Sequence, residues 1–191
     1  ADIDASTAGH LEINNFTGTI DGRGHAVSNL KVYQGGLFLN LKADAIKNLA
    51  LLDVVNAHTT NGAALAWGVS GTTLENLIVT SDNCVKAVQE LNTGATATNC
   101  IAIMTNGKYF VDVGSPWAAA SAYTNVYTVM GDASGEKTGL CNGAYSSTWT
   151  NCAHYADVAT LLSNVQNGTV KIPDCTVEES KLYWNEILIC E

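Results

Sequence analysis

Short apolar runs recur along the chain, and each is centred on an asparagine. An apolar or aromatic residue stands two places before nearly every one of these asparagines, and another stands one place after it. Side chains alternate between the two faces of a straight strand, so these two positions share a face only if the backbone bends at the asparagine. The pattern therefore predicts a corner that recurs every 19 to 28 residues, as in a β-solenoid.

Asparagines at equivalent corners of stacked coils would lie directly above one another. Their carboxamides could then hydrogen bond from coil to coil, and we predict such a ladder. The alternative is that asparagine is only a convenient turn residue. The predicted ladder consists of Asn29, Asn48, Asn76, Asn99, Asn125 and Asn151.

A second, weaker repeat precedes the first. Each copy is a short apolar run opened by a turn residue, and it lies 11 to 16 residues before the next asparagine, as in GGLFLNL and NGAALAW. Two short strands in fixed order, joined by variable loops, predict parallel coils stacked in register. We expect about six coils over residues 1–155, in an all-β solenoid.

The best helical pattern in the chain follows residue 155. Val158, Leu161, Leu162 and Val165 share one helical face, and Asn167-Gly168 is a typical stop. The open end of a solenoid exposes strand edges that must be covered. We therefore predict residues 156–191 to be a C-terminal cap of the same domain, with a short helix and a terminal strand.

The first coils resemble a known family. Residues 1–52 are similar to the GLUG-motif parallel β-helix of bacterial adhesins, large surface proteins and phage-associated proteins, and YADVATLLSNVQNG with LYWNEILIC resembles the end of such domains. The segments that carry the resemblance are ADIDAS, FTGTIDGRGHAVSNLKV, GGLF and AIKNLAL. The usual G-L-x-G glycines are lost after the second coil. The resemblance implies a right-handed parallel β-helix and no particular activity.

Six cysteines fit an oxidising compartment, and none is spaced as C-x-x-C, which argues against zinc. Cys175 and Cys190 bracket LYWNEILI and are the candidate disulfide. Cys100 and Cys152 fall two coils apart, too far for a direct bridge. They are expected to be core thiols or to pair with Cys84 or Cys141.

The composition indicates an extracellular, cell-surface or virion protein. Charged residues make up only 14% of the chain, and hydroxyl and amide residues replace them. A net charge of −9 with nine basic residues argues against nucleic acid as a partner. No apolar run is long enough for membrane insertion. Because the chain starts at Ala1 without a signal peptide, we expect it to be processed or cut from a longer protein.

The sequence predicts no catalysis and no cofactor. Its four histidines lack metal-ligand spacing, so no metal site is expected. Glycoside hydrolysis needs two opposed carboxyl groups. The outward positions beside the asparagines offer one acid, Glu75. The alternative is a carbohydrate-active enzyme, a polysaccharide lyase or glycoside hydrolase, with its site in loops 53–62 or 112–122.

Outward aromatics suggest binding instead. Tyr33, Trp117 and Tyr127 are predicted to contact a glycan or another cell-surface ligand. The alternative is that they pack on loops or against sister chains. A homo-oligomer such as a trimer is also compatible with a polar rod, and a third interpretation is a self-assembling fibre or coat subunit.

The stretch TIDGRGHAVSNL is predicted to be a tight turn. Its glycines flank Arg23 and permit positive φ, and Asp21 can bond amides within the turn. Val27 and Leu30 are expected to face inward around Asn29, the first corner of the ladder. Arg23 and His25 have no structural role in this interpretation.

Overall fold

The computed structural model describes residues 1–91, 94–112, 121–134, 138–143 and 147–191. It is a parallel β-solenoid of about five turns with a single short helix. This is the predicted fold class. Trp117 and most of the loop 112–122 lie outside the described residues.

Eighteen strands and one helix follow one another along the described chain. In order they are β1 (Ile3–Asp4), β2 (Thr19–Ser28), β3 (Lys31–Val32), β4 (Phe38–Leu41), β5 (Ala45–Leu52), β6 (Val55–Asn56), β7 (Ala63–Val69), β8 (Thr73–Ser81), β9 (Lys86–Leu91), β10 (Thr96–Met104), β11 (Tyr109–Val111), β12 (Ala122–Met130), β13 (Gly139–Cys141), β14 (Thr148–Thr150), β15 (Ala153–Tyr155), α1 (Val158–Gln166), β16 (Cys175–Glu178), β17 (Lys181–Trp184) and β18 (Ile187–Cys190).

Two parallel sheets form the walls of the solenoid. The long sheet has the order β1-β2-β5-β8-β10-β12-β14, with β15 also beside β12, and the second sheet has the order β13-β11-β9-β7-β4. Strands β3 and β6 pair in a smaller sheet, and β16-β17-β18 form an antiparallel one. Each coil thus contributes one long strand and one short strand, in the order that the two repeats predict.

The recurring asparagines bend the long strands. Their φ angles lie between 52° and 58°, in the left-handed region that few residues other than glycine and asparagine adopt readily. One left-handed residue interrupts the alternation of side chains, so the positions two before and one after it both face inward. Ile46 and Leu49 around Asn48 are both buried in the main core, as are Leu74 and Leu77 in the next coil.

The structure corrects the place of Asn29. The register pairs Ser28 with Leu52, and the Asn29 backbone N–H donates to the Leu52 carbonyl, so Asn29 lies level with Asp53 and not with Asn48. It forms a different corner and donates its side-chain N–H to Asp4 Oδ1 at 3.0 Å. The first coil therefore contributes no asparagine to the column that begins at Asn48.

Helix α1 forms where the apolar pattern predicts it. Asp157 is the N-cap, and its carboxylate accepts the Thr160 N–H at 2.7 Å. Leu161 and Leu162 are buried, and the helix ends at Asn167. The segment that follows packs along the outer face of the long sheet, where its apolar side chains cluster with those of β5, β8, β10 and β12.

A second core lies between this C-terminal segment and the long sheet. The residues two places after Asn48, Asn76, Asn99 and Asn125 face outward, yet they are apolar and buried. Those at the centre of the sheet, Ile78 and Ile101, are fully buried. Leu182 and Trp184 of β17 pack in the same cluster. The segment therefore clamps successive coils from outside, because their outward apolar side chains share one cover.

Tyr127 belongs to this second core, whereas the sequence predicted it to be an exposed binding residue. Only 2% of its surface is exposed, and its hydroxyl accepts the backbone N–H of Lys171 at 3.2 Å. The ring faces outward from the solenoid, as the alternation of the strand requires, but the C-terminal segment covers it. The little of Tyr127 that stays accessible borders a hollow that Asn151, Tyr155 and Lys171 also line.

The predicted disulfide is also wrong. Cys175 and Cys190 are free thiols, because β17 lies between the strands that carry them. Cys175 pairs with Trp184 on one side of β17, and Cys190 pairs with Leu182 on the other. Two inter-strand spacings amount to about 9.5 Å, beyond the limit of about 7 Å between the Cα atoms of a disulfide. Cys84 and Cys100 are buried core thiols.

The second core makes an outward residue important for stability. We expect Ile78→Ala to lower the free energy of unfolding by about 2 to 5 kcal/mol, because it empties a fully buried site. Val55→Ala is the matched control, since Val55 is also β-branched and in a strand but 46% exposed. Its effect should stay within about 0.5 kcal/mol. Urea unfolding measures both, and equal effects would mean that the C-terminal segment leaves this face open.

Candidate functional site

A column of asparagine side chains runs along one corner of the solenoid. Each donates its Nδ2–H to the Oδ1 of the asparagine one coil nearer the N-terminus. The three distances are 2.8 Å from Asn76 to Asn48, 3.0 Å from Asn99 to Asn76 and 2.8 Å from Asn125 to Asn99. Asn151 has the same left-handed backbone, but it is exposed, and the Asn125 Oδ1 has no partner among the described residues.

At its Asn48 end the column is hydrogen bonded to a carboxylate. Asn48 donates its Nδ2–H to Asp21 Oδ1 at 3.0 Å, and the Arg23 backbone N–H donates to the same oxygen at 2.9 Å. Both hydrogen bonds lower the pKa of Asp21, and the bond from Asn48 has the larger effect. The amide dipoles of the column all point the same way, so a fixed negative charge at this end stabilises each of them.

The corner of the first coil carries two extra residues. Asp21 pairs with Lys47 and His25 pairs with Leu49, so three residues of β2 oppose the single Asn48. A Cβ on Gly22 would lie 2.5 Å from the Asn48 carbonyl oxygen, which leaves glycine as the residue that fits. Arg23 and Gly24 have φ of 51° and 78°. This bulge holds the chain's only arginine at the surface.

The turn between β17 and β18 meets this bulge. Asn185 and Glu186 form a two-residue turn with φ of 48° and 67°, and the Asn185 side chain lies against Gly24. Between the two turns is a cavity of about 170 Å³, which we name the Arg23 cleft. Its lining residues are Arg23, Gly24, Asn48, Asn76, Asp174, Trp184 and Asn185.

Two strong hydrogen-bond donors of the Arg23 cleft have no acceptor among the described residues. The Arg23 guanidinium donates no hydrogen bond and forms no ion pair with a described residue. Trp184 is 1% exposed, and its indole Nε1 has no acceptor in the described part of the chain. A buried N–H without an acceptor costs about 1 to 3 kcal/mol, so the Trp184 indole requires an explanation beyond packing. Arg23 is exposed, so its guanidinium is accessible to a ligand.

A second hollow adjoins the cleft and shares Arg23, Gly24 and Asn185 with it. His25 lies there, with its Nδ1 3.2 Å from Asp2 Oδ1. The same carboxylate oxygen accepts the Ala26 backbone N–H at 2.9 Å, and this bond is the largest cause of the lowered pKa of Asp2. Both residues that lacked a role in the sequence, Arg23 and His25, thus line neighbouring parts of one surface depression.

The predicted binding residues lie elsewhere. Tyr33 is 48% exposed and stacks on His10 with ring centroids 4.9 Å apart, but it does not line the Arg23 cleft. The structure does not bring together Tyr33 and Tyr127. Sequence reasoning missed Trp184 and Asn185, because nothing in their local pattern shows that the last hairpin returns to the first coil.

Comparison of the chain with protein-family models, curated proteins and solved structures finds no match. The described residues include no helix of the length and apolar character that a membrane crossing needs. Within the same residues, no group of three or more His, Cys, Asp and Glu side chains is placed to hold a metal ion.

The asparagine column should contribute measurably to stability. Asn76→Gly keeps a residue that tolerates left-handed φ but removes the amide, which leaves the Asn48 Oδ1 and the Asn99 Nδ2–H unpaired. We expect the free energy of unfolding to fall by about 1 to 3 kcal/mol. Asn151→Gly is the control, because Asn151 has the same backbone and no bond to Asn125. If both variants unfold at the same urea concentration, the column adds nothing to stability.

The end of the column should respond to acid. The folded-state pKa of Asp21 is lowered, so its carboxylate stabilises the fold above the unfolded-state pKa, about 3.9, and this contribution is lost as the pH falls through the folded value. We expect the wild type to lose stability between about pH 4 and pH 2, and Asp21→Asn to lose less. Urea unfolding at several pH values measures this.

Asp44→Asn, a change at an exposed carboxylate outside the column, is the control for the acid response. This variant should lose as much stability on acidification as the wild type does. Since Asp2, Asp4 and Asp157 also have lowered pKa values, Asp21→Asn should remove a part of the acid response. A response identical to that of wild type would show that the carboxylate does not stabilise the column.

Proposed function

We propose that the chain is a non-catalytic extracellular binding module of the GLUG type, in which a rigid solenoid presents the Arg23 cleft to a glycan. The observation that carries this proposal is that one small cavity holds two donors, the Arg23 guanidinium and the Trp184 indole N–H, for which the described residues supply no acceptor. The resemblance of residues 1–52 to surface-protein modules and the low charge of the chain support an extracellular, cell-surface or virion setting.

The polar groups of the cleft match the chemistry of a sugar. A sugar hydroxyl both donates and accepts hydrogen bonds. The cleft offers donors on Arg23, an acceptor on Asp174, and an amide on Asn185 that can do both. A guanidinium can also bond two neighbouring hydroxyls at once, because its N–H groups form a fixed fork. The charges of Arg23 and Asp174 balance, which favours a neutral ligand over an ionic one.

The size of the cleft limits what it can hold. Its volume of about 170 Å³ is smaller than the pockets of about 300 Å³ or more that enclose drug-sized ligands. One sugar residue is therefore the unit that fits inside. A neighbouring residue of the same glycan would lie over the adjoining hollow near His25 and Glu186.

The arrangement of carboxylates favours binding over hydrolysis. A glycosidase places two carboxyl groups about 5 to 9.5 Å apart across the scissile bond. Among the described residues, Asp174 is the one carboxylate that lines the Arg23 cleft. Asp21, the nearest acid in sequence to Arg23, already accepts hydrogen bonds from Asn48 and from the Arg23 backbone. Its lowered pKa makes it a poor general acid.

The walls of the cleft are held in place before a ligand arrives. Asn48 and Asn76 belong to the hydrogen-bonded column, and Trp184 is part of the second core. A preformed site loses little conformational entropy on binding, so a small number of polar contacts suffices for useful affinity.

A glycan array followed by titration calorimetry tests the proposal. We expect a neutral glycan to bind the wild type, and Arg23→Ala to weaken binding about tenfold or more, because it removes a charged donor. Trp184→Phe removes the indole N–H but keeps an aromatic ring, and we expect it to weaken binding as well. Lys42→Ala changes an exposed cation outside the cleft and should leave affinity unchanged.

Several results would contradict the proposal. They are the absence of binding to any glycan, wild-type affinity in Arg23→Ala, and release of new reducing ends from the bound glycan. In the last case, loss of turnover in Asp21→Ala and His25→Ala variants that still fold would establish an enzyme.

A further inference from the structure

A buried lysine lies at the centre of the second sheet, away from the Arg23 cleft. Lys86 is the first residue of β9, and its side chain is 0% exposed. Polar side chains from four successive coils converge on the site. They are Asn61 before β7, Lys86 and Gln89 on β9, Asp112 after β11, and Asn142 after β13.

The lysine ammonium contacts three carbonyl or carboxylate oxygens. Lys86 Nζ lies 2.5 Å from Asn61 Oδ1, 2.6 Å from Gln89 Oε1 and 2.8 Å from Asp112 Oδ2. The Tyr109 ring lies over the same nitrogen, with its centroid 5.6 Å away. The amine thus lies between a carboxamide and a carboxylate.

Asp112 is held as a proton acceptor beside the amine. Besides Lys86, its carboxylate accepts Gln89 Nε2–H at 3.1 Å and Asn142 Nδ2–H at 3.0 Å. Burial by itself would raise the pKa of Asp112, but the hydrogen bonds from Lys86 and Asn142 lower it overall. The carboxylate is therefore ionised and oriented toward Lys86 Nζ.

Burial acts on the lysine in the direction that favours reaction. Removal from water lowers the pKa of Lys86, although the hydrogen bond and the charge of Asp112 oppose this effect. A desolvated lysine next to a carboxylate can transfer its proton to that carboxylate and become a neutral amine. Only the neutral amine is a nucleophile.

We propose that Lys86 and Asn61 form an intramolecular isopeptide bond, with Asp112 as the group that transfers the proton. The carbonyl carbon of Asn61 is one bond beyond Oδ1, so it lies no farther than about 3.7 Å from Lys86 Nζ. Reacting atoms in enzymes approach to about 3 to 3.5 Å before reaction. A small shift of either side chain is enough to reach that distance.

The reaction needs no external reagent. Asp112 takes a proton from the Lys86 ammonium, and the neutral amine then attacks the Asn61 carbonyl carbon to form a tetrahedral intermediate. The Asp112 carboxyl protonates the Asn61 nitrogen and, as a carboxylate again, takes the extra proton from the attacking Lys86 nitrogen. The C–N bond of the carboxamide breaks, and ammonia leaves and accepts that proton from Asp112. The products are a secondary amide between the two side chains and one molecule of ammonia, with no change of oxidation state.

Asn61 is a better acyl group than the other two neighbours of the lysine. Gln89 is three residues from Lys86 on the same strand, so a bond there would close a small ring within β9, which pairs with strands on both sides. Asp112 is ionised, and its carboxylate resists attack by an amine. Asn61 belongs to the preceding coil, so its bond to Lys86 links adjacent coils and leaves the backbone pairing intact.

Intact-mass spectrometry of the denatured wild-type chain tests the proposal. We expect a mass about 17 Da below that of the sequence, since one ammonia is lost, and a branched peptide that joins Asn61 to Lys86 after digestion. Asn61 precedes Gly62, and a succinimide at that bond would also lose ammonia. Lys86→Arg distinguishes the two, because the isopeptide requires the lysine amine and the succinimide does not.

Asp112→Asn supplies the second test, since it removes the proton acceptor but keeps the shape of the side chain. Its mass should equal that of its sequence. The wild-type peptide map decides the matter even if a variant does not fold. An unbranched Lys86 peptide, a bond to Gln89, or loss of about 18 Da through Asp112 would each overturn the assignment to Asn61.

Discussion

The left-handed asparagine corner is the constraint on which the rest of the structure depends. A parallel solenoid must turn its chain at each coil without breaking the pairing between coils, and a single residue with positive φ does this within a continuous strand. Asparagine accepts that conformation at low cost and also supplies a side-chain donor and acceptor. The donor of one coil and the acceptor of the next lie one strand spacing apart, so each corner fixes the register of its neighbour.

The corners determine both cores of the protein. Because the left-handed residue interrupts the alternation, residues on both sides of it fill the interior, and the residue two places after it faces outward. Those outward residues are apolar in successive coils, including Ile78, Ile101 and Tyr127. An exposed apolar stripe of this length is unfavourable in water. The C-terminal segment covers it and runs back from the last coil to the bulge of the first, which joins the two ends of the solenoid.

The solenoid could be predicted because its signals are periodic and local. Asparagine spacing, the inward positions and helix α1 all depend on a few neighbouring residues. The place of Asn29 could not be predicted, since the bulge at Gly22, Arg23 and Gly24 shifts the register and gives the column a carboxylate in place of an asparagine. The covered face could have been inferred from the apolar outward positions. The separation of Cys175 from Cys190 depends on the order of three strands, which no spacing reveals.

The bulge of the first coil shows how a structural repeat can produce a site where it ends. Asn48 has no asparagine below it to accept its Nδ2–H, and the Asp21 carboxylate accepts that hydrogen bond instead. The two additional residues that place Asp21 there also lift Arg23 out of the strand register, at the point where the returning hairpin ends in Asn185. Guanidinium, indole and carboxamide groups thus meet because the repeat stops here. In the inner coils each asparagine is followed by another asparagine of the column. The bulge and its cleft therefore lie at the first coil, where the column stops.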